Sequence, residues 1–266
     1  MIDLHRKDGR VLRIGHRGAA ALAPENTLRG FATAVELGVD LIELDVLDLR
    51  DGTLVVAHSD DLLEVSHGAA AGRVRDRSLA ELRAVAHELP TFDEALAFFA
   101  EQAPHVGLHV DLKLRRHEED AALALRRAGL AERTVVSSNS TASLRAIARA
   151  ADGIRIGFTY PHDRRGLSKY PPLAPFVYGA IFVWRALLPR RVGSLLARAS
   201  ATALMLHHTV VSAAAVDRAH ALGAAVCTWT VDDRPTLARV EAAGVDAVIT
   251  NDPRIFRPEA VATLSA

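Results

Sequence analysis

Short apolar runs alternate with longer stretches of helical periodicity along this chain. Runs near 11–15, 41–47, 107–113, 134–138, 154–159, 203–207, 225–230 and 246–250 read as strands. Between them apolar residues recur with helical spacing. Leu28, Phe31, Ala32 and Val35 share one helical face, with Asn26 as the expected N-cap and Gly38 as the expected stop. The stretches 215–223 and 237–244 are similar helices ending in glycine. Repeated β-then-α units imply a parallel sheet with helices outside it. Eight such strands predict a closed (β/α)8, or TIM, barrel, and 266 residues suit one such barrel as a single domain over 1–266. An open, doubly wound sheet is the structural competitor. Its dinucleotide-binding form is weakened because no glycine-rich phosphate loop follows the first strand.

Two segments interrupt the alternation. One, near 59–91, contains Gly68 and Gly72 and reads as a small, loop-rich insertion. The other runs from about 160 to 200.

Three of the strands carry polar residues in alternation. In Leu41–Val46, Glu43 and Asp45 point one way and Ile42, Leu44 and Val46 the other. Strands of a parallel barrel are buried on both faces, so two adjacent inward carboxylates would repel and lose hydration. A divalent cation relieves both costs, and hard cations such as Mg²⁺ and Ca²⁺ prefer carboxylate oxygens. Asp51-Gly52 is a hairpin signal. A two-residue turn there pairs Arg50 with Thr53 and, counting back, Asp45 with His58. The returning arm, Leu54–Ala57, is then an extension above the barrel and not one of its eight strands.

The first strand exits into His16 and Arg17, at the strand end where barrels keep their chemistry. Imidazole suits proton transfer near neutral pH and guanidinium suits bidentate phosphate contact. In Leu108–Lys113, Asp111 and Lys113 share a face, so Asp111 suits a metal and Lys113 a phosphate oxygen. Taken one at a time, these patterns also fit solvated or salt-bridged strand ends.

Composition narrows the partners. Lys plus Arg and Asp plus Glu both total 32, which gives no global field for nucleic acid. Cys227 is the single cysteine, which excludes a disulfide framework and suits a reducing compartment. No signal-peptide pattern opens the chain and no apolar run is long enough for a span, so the expected location is cytoplasmic. The segment 160–200 is distinct. Tyr160, Tyr170, Tyr178 and Trp184 lie there with Arg164, Arg165, Lys169, Arg185, Arg190, Arg191 and Arg198 against one acid, Asp163. The run Pro171–Leu188 is apolar apart from Arg185. Basic and aromatic residues around an apolar stretch suit peripheral contact with a membrane surface or a lid over a lipid-like substrate. They equally suit a long barrel connection whose apolar face packs on the core.

Together these segments resemble the glycerophosphodiester phosphodiesterase family. The matching residues are Gly15-His16-Arg17-Gly18, Pro24-Glu25-Asn26-Thr27, Gly38 to Asp45, Asp51-Gly52, Val55 to His58, Leu89 to Glu94, Asp111-Leu112-Lys113, Thr228 to Val231 and Asp246 to Pro253. The resemblance implies a TIM barrel, one bound divalent cation, and cleavage of glycerophosphodiesters to an alcohol and glycerol 3-phosphate. By position, His16 and His58 look like an acid–base pair, and Glu43, Asp45 and Asp111 like metal ligands. Arg17 and Lys113 look like phosphate contacts and Trp229 like a pocket wall. Asp111 stands where the family usually has Glu, Ser59 where an Asp commonly follows the second histidine, and Ser138-Asn139-Ser140 lacks the family's aromatic. The apolar 160–200 segment favours an alternative substrate, a lysophospholipid cleaved in the manner of a lysophospholipase D. A barrel that binds a phospho-ligand without turnover is the third reading, opposed by the retained His16, Glu43, Asp45 and His58.

Overall fold

A computed structural model describes residues 1–114, 116–161 and 174–257, and for 174–180 the backbone alone. The chain opens with β1 (Leu12–Gly15), α1 (Leu28–Glu36), β2 (Leu41–Asp48) and β3 (Leu54–Val56). The short helices α2 (Leu62–Val65) and α3 (Leu79–Val85) follow. Next come α4 (Phe92–Glu101), β4 (Gly107–Leu112), α5 (Glu118–Arg127), β5 (Thr134–Ser138), α6 (Thr141–Ala150) and β6 (Arg155–Tyr160). The described chain ends with α7 (Ala174–Ala199), β7 (Ala203–His207), α8 (Ala213–His220), β8 (Ala225–Trp229), α9 (Arg234–Ala242) and β9 (Ala247–Thr250). The order β1-β9-β8-β7-β6-β5-β4-β2, with β1 also paired to β2, closes eight parallel strands into a barrel. Each expected strand is present, with bounds shifted by no more than one residue. β3 lies outside the ring, antiparallel to β2.

Three local expectations need correction. Val46, Leu47 and Asp48 pair with Val56, Val55 and Leu54, and the Ala57 N–H donates to the Asp45 carbonyl, so Asp45 stands opposite Ala57 and not His58. The reason is the turn. The Leu49 N–H donates to Thr53 O, the Gly52 N–H donates to Leu49 O, and Gly52 has φ +88°. That is a three-residue loop with glycine in the left-handed position, which shifts the register by one. The N-cap of α1 is Thr27, whose hydroxyl accepts from the Gly30 N–H, and Asn26 is turned inward. The helices α8 and α9 also begin earlier than their apolar patterns, because Ser212 and Asp233 cap them.

Apolar packing occurs in three places. Between sheet and helices lies a large core that includes Phe31, Leu44, Phe99, Val110 and Val136, all fully buried. Inside the barrel, Leu12, Ile14, Leu41, Val135, Met205, Cys227 and Ile249 pack together, joined by Leu4 from the N-terminal segment. The insertion after the hairpin has a core of its own: Leu62, Val74, Leu82 and Leu89 pack on Leu47, Leu49, Val55 and Ala57. This core fixes the insertion to the extended end of β2. Continuing along the inward faces, the apolar positions give way to polar ones. Ile14 is followed by His16, Leu41 by Glu43 and Asp45, Val135 by Ser137, and Ile249 by Asn251.

The segment 160–200 contains a barrel helix. Leu188, Val192, Leu196 and Ala199 of α7 are buried against the core at helical spacing. The preceding turns carry Phe182 (75% exposed), Val183 (51%) and Trp184 (36%) outside that packing. Asp163, Arg164, Arg165, Lys169, Tyr170 and Pro171 lie outside the described residues, as does the side chain of Tyr178. Among the described residues no helix is long and apolar enough to cross a membrane.

Candidate active site

The first strand ends in a loop that only glycine at both ends permits. A Cβ on Gly15 would sit 2.2 Å from the Gly18 carbonyl oxygen. Gly18 itself has φ +91° and packs against the backbone of Gly30, where a Cβ would lie 2.6 Å away. The tight loop holds Arg17 at φ +50° and aims its groups at β2. The Arg17 N–H donates to Glu43 Oε2 (2.9 Å), its Nη1 donates to Glu25 Oε2 (2.8 Å), and its Nε lies 3.3 Å from Asp45 Oδ2. That Nε is buried and makes no hydrogen bond among the described residues.

Glu43 and Asp45 are buried side by side, and β4 brings Asp111 next to Asp45 in register. One oxygen from each of the three carboxylates lies within 4.8 Å of the others. At such distances and an effective dielectric of about 20, each like-charge pair costs about 3.5–4 kcal/mol. Cationic side chains offset part of that cost. Lys113 Nζ contacts Asp111 and lies 3.3 Å from Asp45 Oδ1. Burial alone would raise the Asp45 pKa, but Lys113 and Arg17, with an Asn26 hydrogen bond, hold it well below the usual carboxylate range. Burial, then the charges of Asp45 and Asp111, push Glu43 well above its ordinary value. The Lys113 pKa is raised because Asp111 and Asp45 outweigh its own burial. Three acids thus face two cations, and Glu43 is the acid whose charged form is least favoured.

Neighbouring side chains fix the acids in place. Asn26 Nδ2 donates to Asp45 Oδ2 (3.0 Å) and its Oδ1 accepts from the Asp45 N–H (3.2 Å). The Ser137 hydroxyl donates to Asp111 Oδ1 (2.8 Å), and His109 Nε2 lies 2.8 Å from that same hydroxyl. Burial lowers the His109 pKa to about 4, so this ring is neutral. His16, Glu43, His109, Asp111, Ser137 and Trp229 line a cavity of about 30 Å³ at the floor of the mouth. Trp229 is fixed there by its Nε1–H to the Met205 carbonyl (3.2 Å) and an edge-on contact with His207.

Both expected histidines border this cluster. His16 Nε2 lies 3.9 Å from Glu43 Oε2, and its Nδ1 is 2.7 Å from Asn251 Oδ1. Burial, reinforced by Arg17, lowers its pKa and favours the neutral ring. His58 follows β3, where its Nδ1 meets Glu64 Oε1 (3.2 Å) in α2. Its charge acts on both Asp45 and His16. The insertion therefore holds the second histidine, through Glu64. Of the supporting residues, Glu25 and Asn26 lie in the Pro24–Thr27 stretch and Asn251 in the Asp246–Pro253 stretch, both of which carry the resemblance, whereas no pattern in the sequence marks Glu64 or Ser137.

Comparison with known proteins agrees with this reading. Residues 16–255 match the model of the glycerophosphoryl diester phosphodiesterase family. A curated glycerophosphodiester phosphodiesterase of Caldanaerobacter subterraneus is 28% identical, over 92% of this chain and 95% of that protein. A Silicibacter pomeroyi protein, solved as a candidate glycerophosphoryl diester phosphodiesterase, superposes with a TM-score of 0.75 at 26% identity, covering 95% of this chain and 93% of that one. An Oleispira antarctica phosphodiesterase solved with the product sn-glycerol 3-phosphate shares the fold, with a TM-score of 0.69 at 23% identity over 91% of this chain and 94% of that one. With the match running through nearly all of the barrel, the chain belongs to the glycerophosphoryl diester phosphodiesterase family and is a hydrolase of phosphoric diesters.

Proposed function

We propose that the chain hydrolyses small glycerophosphodiesters to an alcohol and sn-glycerol 3-phosphate, using His16 and His58 for proton transfer and one divalent cation, Mg²⁺ or Ca²⁺. The observation that carries this is the convergence of Glu43, Asp45 and Asp111 beside the His16 imidazole and two cationic side chains. An all-oxygen donor set in which burial and neighbouring charges raise the pKa of one carboxylate suits a hard cation. Bound by those three acids, such a cation would supply positive charge toward the phosphoryl oxygens.

Arg17 Nε and Lys113 Nζ add positive charge from the protein, and both face the same acids. In this scheme His16, whose lowered pKa favours the neutral ring, takes a proton from the nucleophile, either water or the substrate's glycerol hydroxyl. His58 returns a proton to the leaving alkoxide. Trp229 forms an apolar wall beside them. The product held by the Oleispira relative is the one this scheme releases. Action in the cytoplasm is proposed on the buried free thiol of Cys227. An assay of glycerol 3-phosphate release comparing glycerophosphocholine with lysophosphatidylcholine tests the substrate. Faster turnover of glycerophosphocholine supports the scheme, and turnover of neither removes it.

One observation favours a second reading, a bulkier lipid substrate met at a membrane surface. Helices of this barrel start on the mouth side, and the exposed Phe182, Val183 and Trp184 precede the packed part of α7, beside exposed Arg185, Arg190 and Arg191. The wild-type protein is then expected to float with anionic liposomes, and Phe182→Ser with Trp184→Ser to remain in the dense fraction. Equal behaviour of the two proteins removes the membrane contact.

A further inference from the structure

We infer that Asp232 and Asn251 lock the tautomer of His16, placing its proton on Nδ1 and leaving Nε2 as the nitrogen free to accept one. The inference rests on the reading of His16 as a proton-transfer group and goes beyond it to the residues that make one of its nitrogens basic.

Asn251 follows β9 and Asp232 follows β8, so pairing of those strands sets the two residues side by side. The Asp232 carboxylate holds Asn251 at two points. Its Oδ1 accepts the Asn251 backbone N–H (2.8 Å) and its Oδ2 accepts Asn251 Nδ2–H (2.7 Å). Thr250 Oγ1 adds a contact to Oδ1 at 3.2 Å. An ionised carboxylate is an acceptor only, so the NH₂ end of the Asn251 amide must face Asp232. The amide oxygen then faces the opposite way, 2.7 Å from His16 Nδ1. An amide oxygen also only accepts, so Nδ1 is the protonated nitrogen. The bare Nε2 lies on the Glu43 side, 3.9 Å from its carboxylate. Each step follows from donor and acceptor types, and a flipped amide would set its oxygen against the Asp232 carboxylate and lose that hydrogen bond.

In this arrangement Asn251 and Asp232 are positioning residues. Without the amide oxygen the His16 proton is free to move to Nε2, where the ring can no longer accept one. The test is the ¹⁵N spectrum of imidazole-labelled protein alongside turnover of glycerophosphocholine. In the wild type, His16 is expected to show a protonated Nδ1 and a bare Nε2. In Asn251→Leu the bare-Nε2 form is expected to lose its dominance and kcat to fall about 10²-fold, the lower end of what positioned proton transfer contributes. KM and cation affinity should stay unchanged. The exchanged pair Asp232→Asn with Asn251→Asp preserves every donor–acceptor match and is expected to restore both the spectrum and most of kcat. A wild-type His16 spectrum in Asn251→Leu overturns the lock. A shifted spectrum with undiminished kcat overturns its functional half, and with it the role of His16. If Asn251→Leu does not fold, Asp232→Asn alone, which frees the amide to flip, is expected to show the same change of tautomer, and an unchanged tautomer there overturns the lock.

Discussion

Replacing His16 by alanine is expected to lower kcat about 10²–10⁴-fold, the range that positioned proton transfer contributes, while cation affinity stays at the wild-type value. His16 lies 3.9 Å from Glu43 and shares no hydrogen bond with the three carboxylates, so its removal leaves them and their cationic partners intact. His58→Ala is expected to have a loss of the same order with a smaller effect on stability. Its side chain is 35% exposed and meets Glu64, whereas the His16 side chain is 16% exposed and satisfies Asn251. Loss of turnover without loss of cation binding, measured by calorimetric titration of each variant, separates proton transfer from metal binding. Near-normal turnover in either variant removes that histidine from the mechanism.

The second large effect concerns Glu43. Glu43→Gln is expected to abolish cation-dependent stabilisation and most activity, yet to raise the stability of the metal-free protein at alkaline pH. The sign follows from the shift. Burial and the charges of Asp45 and Asp111 raise the Glu43 pKa above its ordinary value of 4.5, so the folded state holds this proton more tightly than the unfolded chain. The associated stability is fully present below that ordinary value and is lost as pH rises through the folded one. Glutamine keeps an oxygen for the Arg17 N–H and never ionises, so the variant lacks that loss. With cation at about 100 times its Kd the wild type gains about 2.7 kcal/mol, and the variant far less. Thermal melts at pH 5 and pH 8, with and without cation, should cross in this way. A metal-free variant less stable than the wild type at pH 8 contradicts the account of the acidic trio.

These effects trace to residues that were legible to different degrees. The eight strands were readable because barrel strands are short, apolar and separated by helical periodicity. Glu43, Asp45 and Asp111 were readable because period-two alternation puts polar residues on an inward face that is otherwise apolar. The register of the β2–β3 hairpin was not, because Asp51-Gly52 fits both a two-residue and a three-residue turn, and one residue of difference exchanges Ala57 for His58 opposite Asp45. His58 still borders the cluster, held by Glu64 from the insertion. Asn26 suited an N-cap by residue type, but Thr27 took that place and left the amide for Asp45. The supports of the site were out of reach for a different reason. Ser137 meets Asp111 and Asn251 meets His16 across 26 and 235 residues of chain, through strand neighbours that only closure of the barrel defines.

The most direct test of the central claim is glycerol 3-phosphate release from glycerophosphocholine, measured on the same preparation before chelation, after it, and after Mg²⁺ or Ca²⁺ is restored. The account predicts turnover that vanishes with the chelator and returns with the cation, and that does neither in Glu43→Gln. Turnover that survives complete chelation, with the acidic trio unmetallated, would contradict it.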